Sequence, residues 1–209
     1  MSGYIYTIGR EFGSGGMLVG HMLADKLNIP FYDKELLQKA AKESGFCEEI
    51  LENHDEKPTS SFLYSLVMDT YSGGSYSSAP FLDMPINQKI FLAQFDAIKK
   101  IAEDHESCVI VGRCADYALA ERKNVINIFL HADMEDRMRN VSTRLNITEK
   151  KAKDMCQKQD KQRSSYYNYY TSKKWGDSRN YDLCLNTSKI SPEKCVDLII
   201  DYSNAFSGK

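Results

Sequence analysis

The sequence has no long hydrophobic run and little net charge, and both absences exclude classes of function. No apolar stretch approaches the roughly 18 residues that indicate a transmembrane helix. We expect no secretory signal, because no basic segment followed by a long apolar one begins the chain. The formal net charge of -2 argues against a general nucleic-acid binder and a membrane-surface binder. Neither nucleic acid nor a membrane is therefore an expected partner.

The sequence also lacks cysteine pairs of the C-x-x-C kind. Its six cysteines and four histidines are dispersed over 209 residues, so neither a metal cluster nor a disulfide scaffold is expected. The cysteines are predicted to be reduced and mostly buried, which is typical of a cytoplasmic protein. With 42% hydrophobic residues the chain can bury a sizeable core, and its length predicts one domain over residues 1–209.

Glycine is concentrated near the amino terminus, between a β-prone run and a segment with helical spacing. The run over 4–8 leads into Gly9-Arg10-Glu11-Phe12-Gly13-Ser14-Gly15-Gly16, and helical spacing begins with Met17. A strand, a glycine-rich turn and a helix form a phosphate cradle, because backbone N–H groups and the helix dipole converge on one point. The alternative is a plain connection that uses glycine for its tight geometry.

This stretch departs from the P-loop pattern G-x-x-x-x-G-K-[ST]. With Gly15 as the second glycine, Arg10 stands in the place of the first glycine, Gly16 in that of the lysine and Met17 in that of the hydroxyl residue. The usual cation on the β/γ-phosphates and the usual Mg²⁺ hydroxyl are both missing. Arg10 is the nearest candidate for a substitute cation, although it could equally form a structural pair with Glu11.

Strands alternate with helices along the chain, which predicts an α/β fold with a doubly wound sheet of five parallel strands. Further strands are predicted at 31–32, 108–111, 124–130 and 182–186, and helices at 14–27, 34–44, 86–104, from 133 onward, at 149–170 and at 192–206. The pattern weakens over 57–85, where Gly, Ser and Pro predict a long loop. Such loops are lids, binding loops or disordered segments.

Polar residues follow two of the predicted strands. Arg113 and Asp116 come just after 108–111, where open α/β sheets bind ligands. The alternative for this pair is a surface salt bridge. Asp33 follows 31–32 and could cap the next helix, which is compatible with a functional role as well.

The predicted helix over 149–170 carries two further features. Asp160 and Arg163 lie one turn apart on one face, either as part of a site or as an exposed ion pair of little consequence. An aromatic tract at 166–170, with Trp175 beyond it, could stack on a base or pack against a neighbouring helix or partner.

Five runs of sequence are specific in combination: IGREFGSGG, IPFYDKELL, CVIVGRCADY, NVINIFLHA and YDLCLNTSKISPE. Together they resemble the cytidylate kinase-like family of P-loop proteins, which is related to the cytidylate kinases, a group of nucleoside monophosphate kinases. The resemblance spans nearly the whole chain and is weakest over 57–85. It implies a P-loop kinase fold with an acceptor-binding lobe over 43–84 and a lid over 149–180.

On the donor side, the resemblance implies that the glycine turn holds the phosphates of ATP. The residues concerned are Gly13, Ser14, Gly15 and Gly16, with Met17 next to them. Mg²⁺ would arrive with the nucleotide.

On the acceptor side, the resemblance places Asp33 near Mg²⁺ or the acceptor phosphate, with Lys34 beside it. Arg113 would grip the acceptor monophosphate, and Asp116 matches an aspartate of the same motif. In the lid, Asp160 would face the acceptor ribose and Arg163 the phosphates. Arg10, Asp33 and Arg163 are thus the candidate catalytic residues.

The implied activity is phosphoryl transfer from ATP to a small-molecule phosphate acceptor, with a nucleoside monophosphate such as CMP favoured. The missing lysine keeps an alternative open, namely a non-catalytic nucleotide-binding regulator that has retained the fold. A kinase for a different small acceptor is a third reading. The sequence leaves a homo-oligomer open.

Overall fold

The strands that the structure describes form a single parallel sheet. The structure is a computed structural model, and it describes residues 3–33 and 86–205. The strands are β1 (Ile5–Arg10), β2 (Phe31–Tyr32), β3 (Cys108–Val111), β4 (Val125–His131) and β5 (Leu183–Asn186). The described residues also form six α-helices around the sheet: α1 (Gly16–Leu27), α2 (Ile86–Asp104), α3 (Ala115–Ala118), α4 (Met134–Leu145), α5 (Glu149–Thr171) and α6 (Pro192–Ala205).

The sheet has the strand order β2-β3-β1-β4-β5, and all its neighbouring pairs are parallel. The central strand, β1, pairs with β3 from Ile5 opposite Cys108 and with β4 from Ile5 opposite Val125. The predicted doubly wound sheet of five parallel strands is confirmed. The other strands lie on opposite sides of β1, with β2 and β3 on one side and β4 and β5 on the other. The carboxyl ends of β1 and its neighbours therefore border the crevice where such folds bind ligands.

Helices cover both faces of the sheet, because its central strands are apolar on both sides. All four residues of β3 are buried. One face packs on α2 and α3 through a cluster that includes Ile5, Ile98, Ile101, Ile110 and Leu119. The other packs on α1 and α6 through a cluster that includes Ile8, Val19, Leu23, Ile128 and Ile199. Both faces of the sheet are thus covered by packed helices.

Helix ends follow the predicted signals closely, with two informative differences. Thr148 caps α5 as predicted, accepting a hydrogen bond from the Lys151 N–H. Helix α1 begins at Gly16 instead of Ser14, because Ser14 belongs to the preceding turn. Asp133 stands at the start of α4 without a capping hydrogen bond, and its carboxylate pairs with Lys189 at 2.9 Å instead.

Several predictions lie outside the described residues: the helix over 34–44, the loop over 57–85, the lobe over 43–84 and Lys34. Within the ranges described, no helix combines the length and apolar character needed to cross a membrane.

Candidate active site

The turn after β1 wraps around the start of α1, and its shape depends on two glycines. Gly13 and Gly15 have φ values of 85° and 79°, which side chains disfavour. The buried Ser14 hydroxyl donates to the carbonyls of Glu11 at 2.9 Å and Leu130 at 3.1 Å, which ties the turn to β4. Backbone amides at the start of α1 lack helical acceptors, so this turn is suited to an anion. We call residues 10–17 the glycine loop.

Arg10 and Gly16 are in direct contact across the glycine loop. A Cβ atom added to Gly16 would lie 2.6 Å from the Cβ and 2.8 Å from the Cγ of Arg10. A side chain at position 16 would therefore collide with the stem of Arg10. Arg10 and Gly16, which both depart from the P-loop pattern, therefore depend on each other. The Arg10 stem fills the space that a side chain at position 16 would need. Sequence analysis identified both departures but not their contact.

A cavity of about 410 Å³ lies over the glycine loop, and we call it the phosphate cavity. Four arginines on four different segments line it: Arg10, Arg113, Arg144 and Arg163. The two carboxylates in its wall are each paired, Asp33 with Arg113 at 3.2 Å and Glu11 with Arg137 at 3.0 Å. Its size falls within the range of small-molecule sites, and the excess of guanidinium groups suits a ligand with several negative charges.

The turn after β3 holds Arg113 in an unusual backbone conformation. Gly112, Arg113 and Cys114 have φ values of 82°, 60° and 54°. The left-handed region costs a non-glycine residue on the order of 1–3 kcal/mol, and such costs concentrate at functional sites. The turn directs Arg113, only 5% exposed, to Asp33 at the end of β2. The structure thus brings together two predicted site residues from neighbouring strands.

A second, smaller cavity of about 30 Å³ lies beside the first, and Arg10, Arg113 and Arg163 line both. Asp116 lies in its wall and accepts a hydrogen bond from the Tyr167 hydroxyl at 2.6 Å. Burial raises the pKa of Asp116, and the bond from Tyr167 opposes that shift. Burial, followed by the charge of Asp116, raises the pKa of Tyr167. Asp116 is therefore an interior carboxyl group instead of half of a surface salt bridge.

The aromatic tract divides between this small cavity and a helix contact. Tyr166 and Tyr167 line the cavity together with Trp175. Tyr170 stacks on Phe91 of α2, with ring centroids 4.0 Å apart. Packing against a neighbouring helix, one of the alternatives for this tract, is correct for Tyr170.

Asp160 and Arg163 lie on one face of α5 but have different surroundings. Arg163 reaches the phosphate cavity, donates to the Arg10 carbonyl at 3.2 Å and lies 5.5 Å from the centroid of the Phe12 ring. Asp160 accepts a hydrogen bond from the Phe12 N–H at 2.7 Å and pairs with Arg137 of α4. Both Asp160 oxygens thus bind protein groups, and its predicted contact with an acceptor ribose stays a prediction.

Sequence analysis did not assign a role to two arginines that border the site, Arg137 and Arg144. Arg137 is 4% exposed and its Nε donates to the Phe12 carbonyl at 2.8 Å. Arg144 lies 5.4 Å from the Phe12 ring centroid, on the wall of the phosphate cavity. In the sequence, these arginines are recognisable only as members of one arginine-containing helix. That pattern does not predict which arginine faces the interior.

Within the described ranges, no group of three or more His, Cys, Asp or Glu side chains is arranged to hold a metal ion. Asp33 is the predicted Mg²⁺ ligand, and its carboxylate is in the wall of the phosphate cavity. Mg²⁺ commonly takes one or two carboxylates and fills its other positions with phosphate oxygens and water. One carboxylate beside an anion cavity fits that pattern.

Comparison with known proteins supplies independent findings. A model of the cytidylate kinase-like family matches residues 5–189. A cytidylate kinase of Halobacterium salinarum is 24% identical over 112 residues, which cover 54% of this chain and 58% of that protein. The match therefore spans little more than half of each.

Solved structures support the fold. An uncharacterized protein from Eubacterium ventriosum is 36% identical, with a TM-score of 0.72 and coverage of 96% of this chain and 98% of the other. The shikimate kinase of Acinetobacter baumannii, in complex with shikimate, is 12% identical with a TM-score of 0.52, covering 100% and 97%. At that identity the likeness extends to the fold alone, which is the kinase type predicted from the sequence.

Proposed function

The chain belongs to the cytidylate kinase-like family, and from that premise we propose that it transfers a phosphoryl group from ATP to a small phosphate acceptor. The favoured acceptor is a nucleoside monophosphate such as CMP. The observation that carries the proposal is the phosphate cavity, in which four arginines surround a glycine loop at the carboxyl edge of the sheet. Phosphoryl transfer depends mainly on positioning and on positive charge around the moving group.

The glycine loop is proposed to hold the donor. Backbone amides from Gly13 to Met17 and the dipole of α1 would bind the ATP phosphates. Arg10 would supply the cation that a P-loop normally takes from its lysine. The contact between Arg10 and Gly16 supports this assignment, because it places the arginine stem against the position that the lysine would occupy.

The acceptor is proposed to lie on the β2–β3 side. Arg113 and Lys34 would bind its phosphate, and Asp116 would contribute to the wall around it. Arg10, Arg113 and Arg163 border both cavities, which is where charge must be stabilised while a phosphoryl group passes between two ligands. Asp33 would hold Mg²⁺ together with phosphate oxygens and water. The ion neutralises charge on the phosphate oxygens when it is bound.

The test is turnover. Purified protein is incubated with ATP, Mg²⁺ and a panel of acceptors that includes CMP, UMP, AMP, GMP and shikimate, and products are identified by chromatography and phosphorus NMR. We expect ADP to form only with a matching acceptor. Arg113→Ala should raise the KM of that acceptor more than it lowers kcat. ADP formation equal in all mixtures, with no phosphorylated acceptor, would contradict the proposal.

A second candidate follows from one observation, the presence of Gly16 and Met17 where a P-loop has lysine and a hydroxyl residue. A regulator with this loop would bind nucleotide without transferring phosphate. It would show a thermal shift with ATP and Mg²⁺ but form no product with any acceptor of the panel. The thermal shift and the turnover assay together therefore separate the enzyme from the regulator.

A further inference from the structure

We propose that Arg137 and Asp160 are positioning residues that hold the glycine loop in its phosphate-binding shape, and that Asp160 does not bind the acceptor. The two side chains come from different helices, Arg137 from α4 and Asp160 from α5, and meet in an ion pair beside the loop. The ligand-binding part of this inference rests on the proposed function.

The ion pair satisfies both backbone polar groups of one loop residue, Phe12. The Phe12 N–H donates to Asp160 Oδ1 at 2.7 Å, and the Phe12 carbonyl accepts from Arg137 Nε at 2.8 Å. Arg137 also pairs with Glu11 at 3.0 Å. Hydrogen bonds to charged groups are among the stronger ones in proteins, so this arrangement specifies the local backbone.

Helix α4 also constrains the next residue of the loop. The Gly13 carbonyl accepts a hydrogen bond from Asn140 at 3.1 Å, and a Cβ on Gly13 would lie 2.9 Å from the Arg137 carbonyl. Contacts with α4 thus hold residues 11–13, which directly precede Ser14 and the cavity-lining Gly15 and Gly16. A displacement of about 1 Å in such a loop can cost about 100-fold in rate, because the binding groups leave their productive positions.

These contacts also compete with the acceptor-binding role of Asp160. Its side chain is 17% exposed, and its two oxygens bind Phe12 and Arg137. To reach a ribose hydroxyl, Asp160 would have to break its ion pair with the buried Arg137 and its hydrogen bond with the Phe12 N–H, which is unfavourable. Arg163, one turn further along α5, lines the phosphate cavity.

The first experiment measures the loop in the ligand-free protein. Hydrogen–deuterium exchange of peptides covering residues 9–17 is compared for the wild type, Asp160→Asn and Asp154→Asn. Asn keeps an oxygen that can accept from Phe12 but removes the charge that pairs with Arg137, and Asp154 is an exposed residue of the same helix. We expect faster exchange of the loop in Asp160→Asn only. Equal protection of the loop in all three proteins would overturn the inference.

The second experiment measures binding of ATP–Mg²⁺ and of CMP by calorimetry. Asp160→Asn should weaken ATP–Mg²⁺ binding about tenfold, and Arg137→Gln at least as much, while CMP binding is unchanged. Asp154→Asn and Arg139→Gln, an exposed arginine of α4, are the matched controls and should bind as the wild type does. If Arg137→Gln does not fold, Asp160→Asn alone decides.

Two results would separate this inference from the proposed function. Weaker CMP binding by Asp160→Asn, with ATP–Mg²⁺ binding intact, would restore Asp160 to the acceptor site and overturn the inference. If the wild type binds no ATP–Mg²⁺ at all, the proposed function fails. The exchange comparison would still decide whether the ion pair sets the shape of the loop.

Discussion

At the scale of single residues, the glycine loop has an arginine where a P-loop has its first glycine, and a glycine where a P-loop has its lysine. Arg10 carries the charge at the end of β1, and Gly16 leaves room for its stem at the start of α1. Arg10 is 8% exposed, so its charge lies in a largely desolvated place where it acts more strongly on a phosphate than it would in water.

We therefore expect Arg10→Ala to lower kcat by about 10²–10³-fold, the usual loss for one preorganised electrostatic contact. Steady-state kinetics on the acceptor found by the panel provides the measurement, and an unchanged circular dichroism spectrum provides the control for folding. A fully active Arg10→Ala protein would exclude Arg10 as the substitute for the lysine.

The same contact predicts a non-additive effect on stability. Gly16→Lys alone should lower the free energy of unfolding by about 1–3 kcal/mol, because its Cβ overlaps the stem of Arg10. The double variant Arg10→Gly with Gly16→Lys restores the first glycine and the lysine of the P-loop pattern, while Met17 stays at the hydroxyl position. It should recover most of that loss. Urea denaturation of the two single variants and the double variant tests this. A loss in the double variant equal to the sum of the single losses would disprove the coupling.

At the scale of elements, Asp160 and Tyr167 connect helix α5 to other parts of the site. Asp160 connects it to the glycine loop and to α4, and Tyr167 connects it to Asp116 of α3. Arg163 lies between these attachments and faces the phosphate cavity. The contacts of Asp160 and Tyr167, on either side of Arg163 in the helix, therefore hold the part of α5 that carries Arg163.

The buried carboxyl group of Asp116 makes stability depend on pH. Its pKa in the folded protein is raised, so the folded state holds this proton more tightly than the unfolded state does. Its contribution to stability is full below the unfolded pKa and is lost as pH rises through the folded pKa. Asp116→Asn should consequently raise Tm at pH 7, and the gain should shrink toward pH 4. Melting curves across this range measure the effect, with Asp154→Asn, at an exposed position of α5, as the control substitution. A gain that grows toward pH 4 would contradict the prediction.

At the scale of the whole molecule, the site lies where the carboxyl ends of β1, β2 and β3 meet the amino end of α1 and one face of α5. The positive charge of the phosphate cavity is concentrated there although the chain as a whole carries a formal charge of -2. Local charge and not net charge therefore determines which ligand the protein attracts.

A ligand that binds only the folded state stabilises the whole molecule. At about a hundred times its Kd, ATP with Mg²⁺ should add about 2.7 kcal/mol and raise Tm by roughly 5–10 °C. Differential scanning fluorimetry with ATP, ADP, CMP and inorganic phosphate provides the measurement. No shift with any nucleotide at millimolar concentration would exclude the glycine loop as a phosphate cradle.

The sequence by itself determined the elements and their order. Apolar runs such as 108–111 and the helical periodicity over 86–104 predicted β3 and α2 with the observed bounds, because burial on one or both faces imposes a regular spacing on apolar residues. The position of Arg113 after β3 and of Asp33 after β2 was also enough to place both at one edge of the sheet, since parallel strands end on the same side.

Only the tertiary structure decided what the side chains contact. Arg137, Arg139 and Arg144 are alike in the sequence, yet the packing of α4 turns Arg137 into the interior, Arg144 toward the phosphate cavity and Arg139 to solvent. The contact of Arg10 with Gly16 likewise depends on the path of a turn that local propensity does not specify. Helix rotation and loop path are set by contacts between residues far apart in the chain, and no local pattern of residue types encodes those contacts.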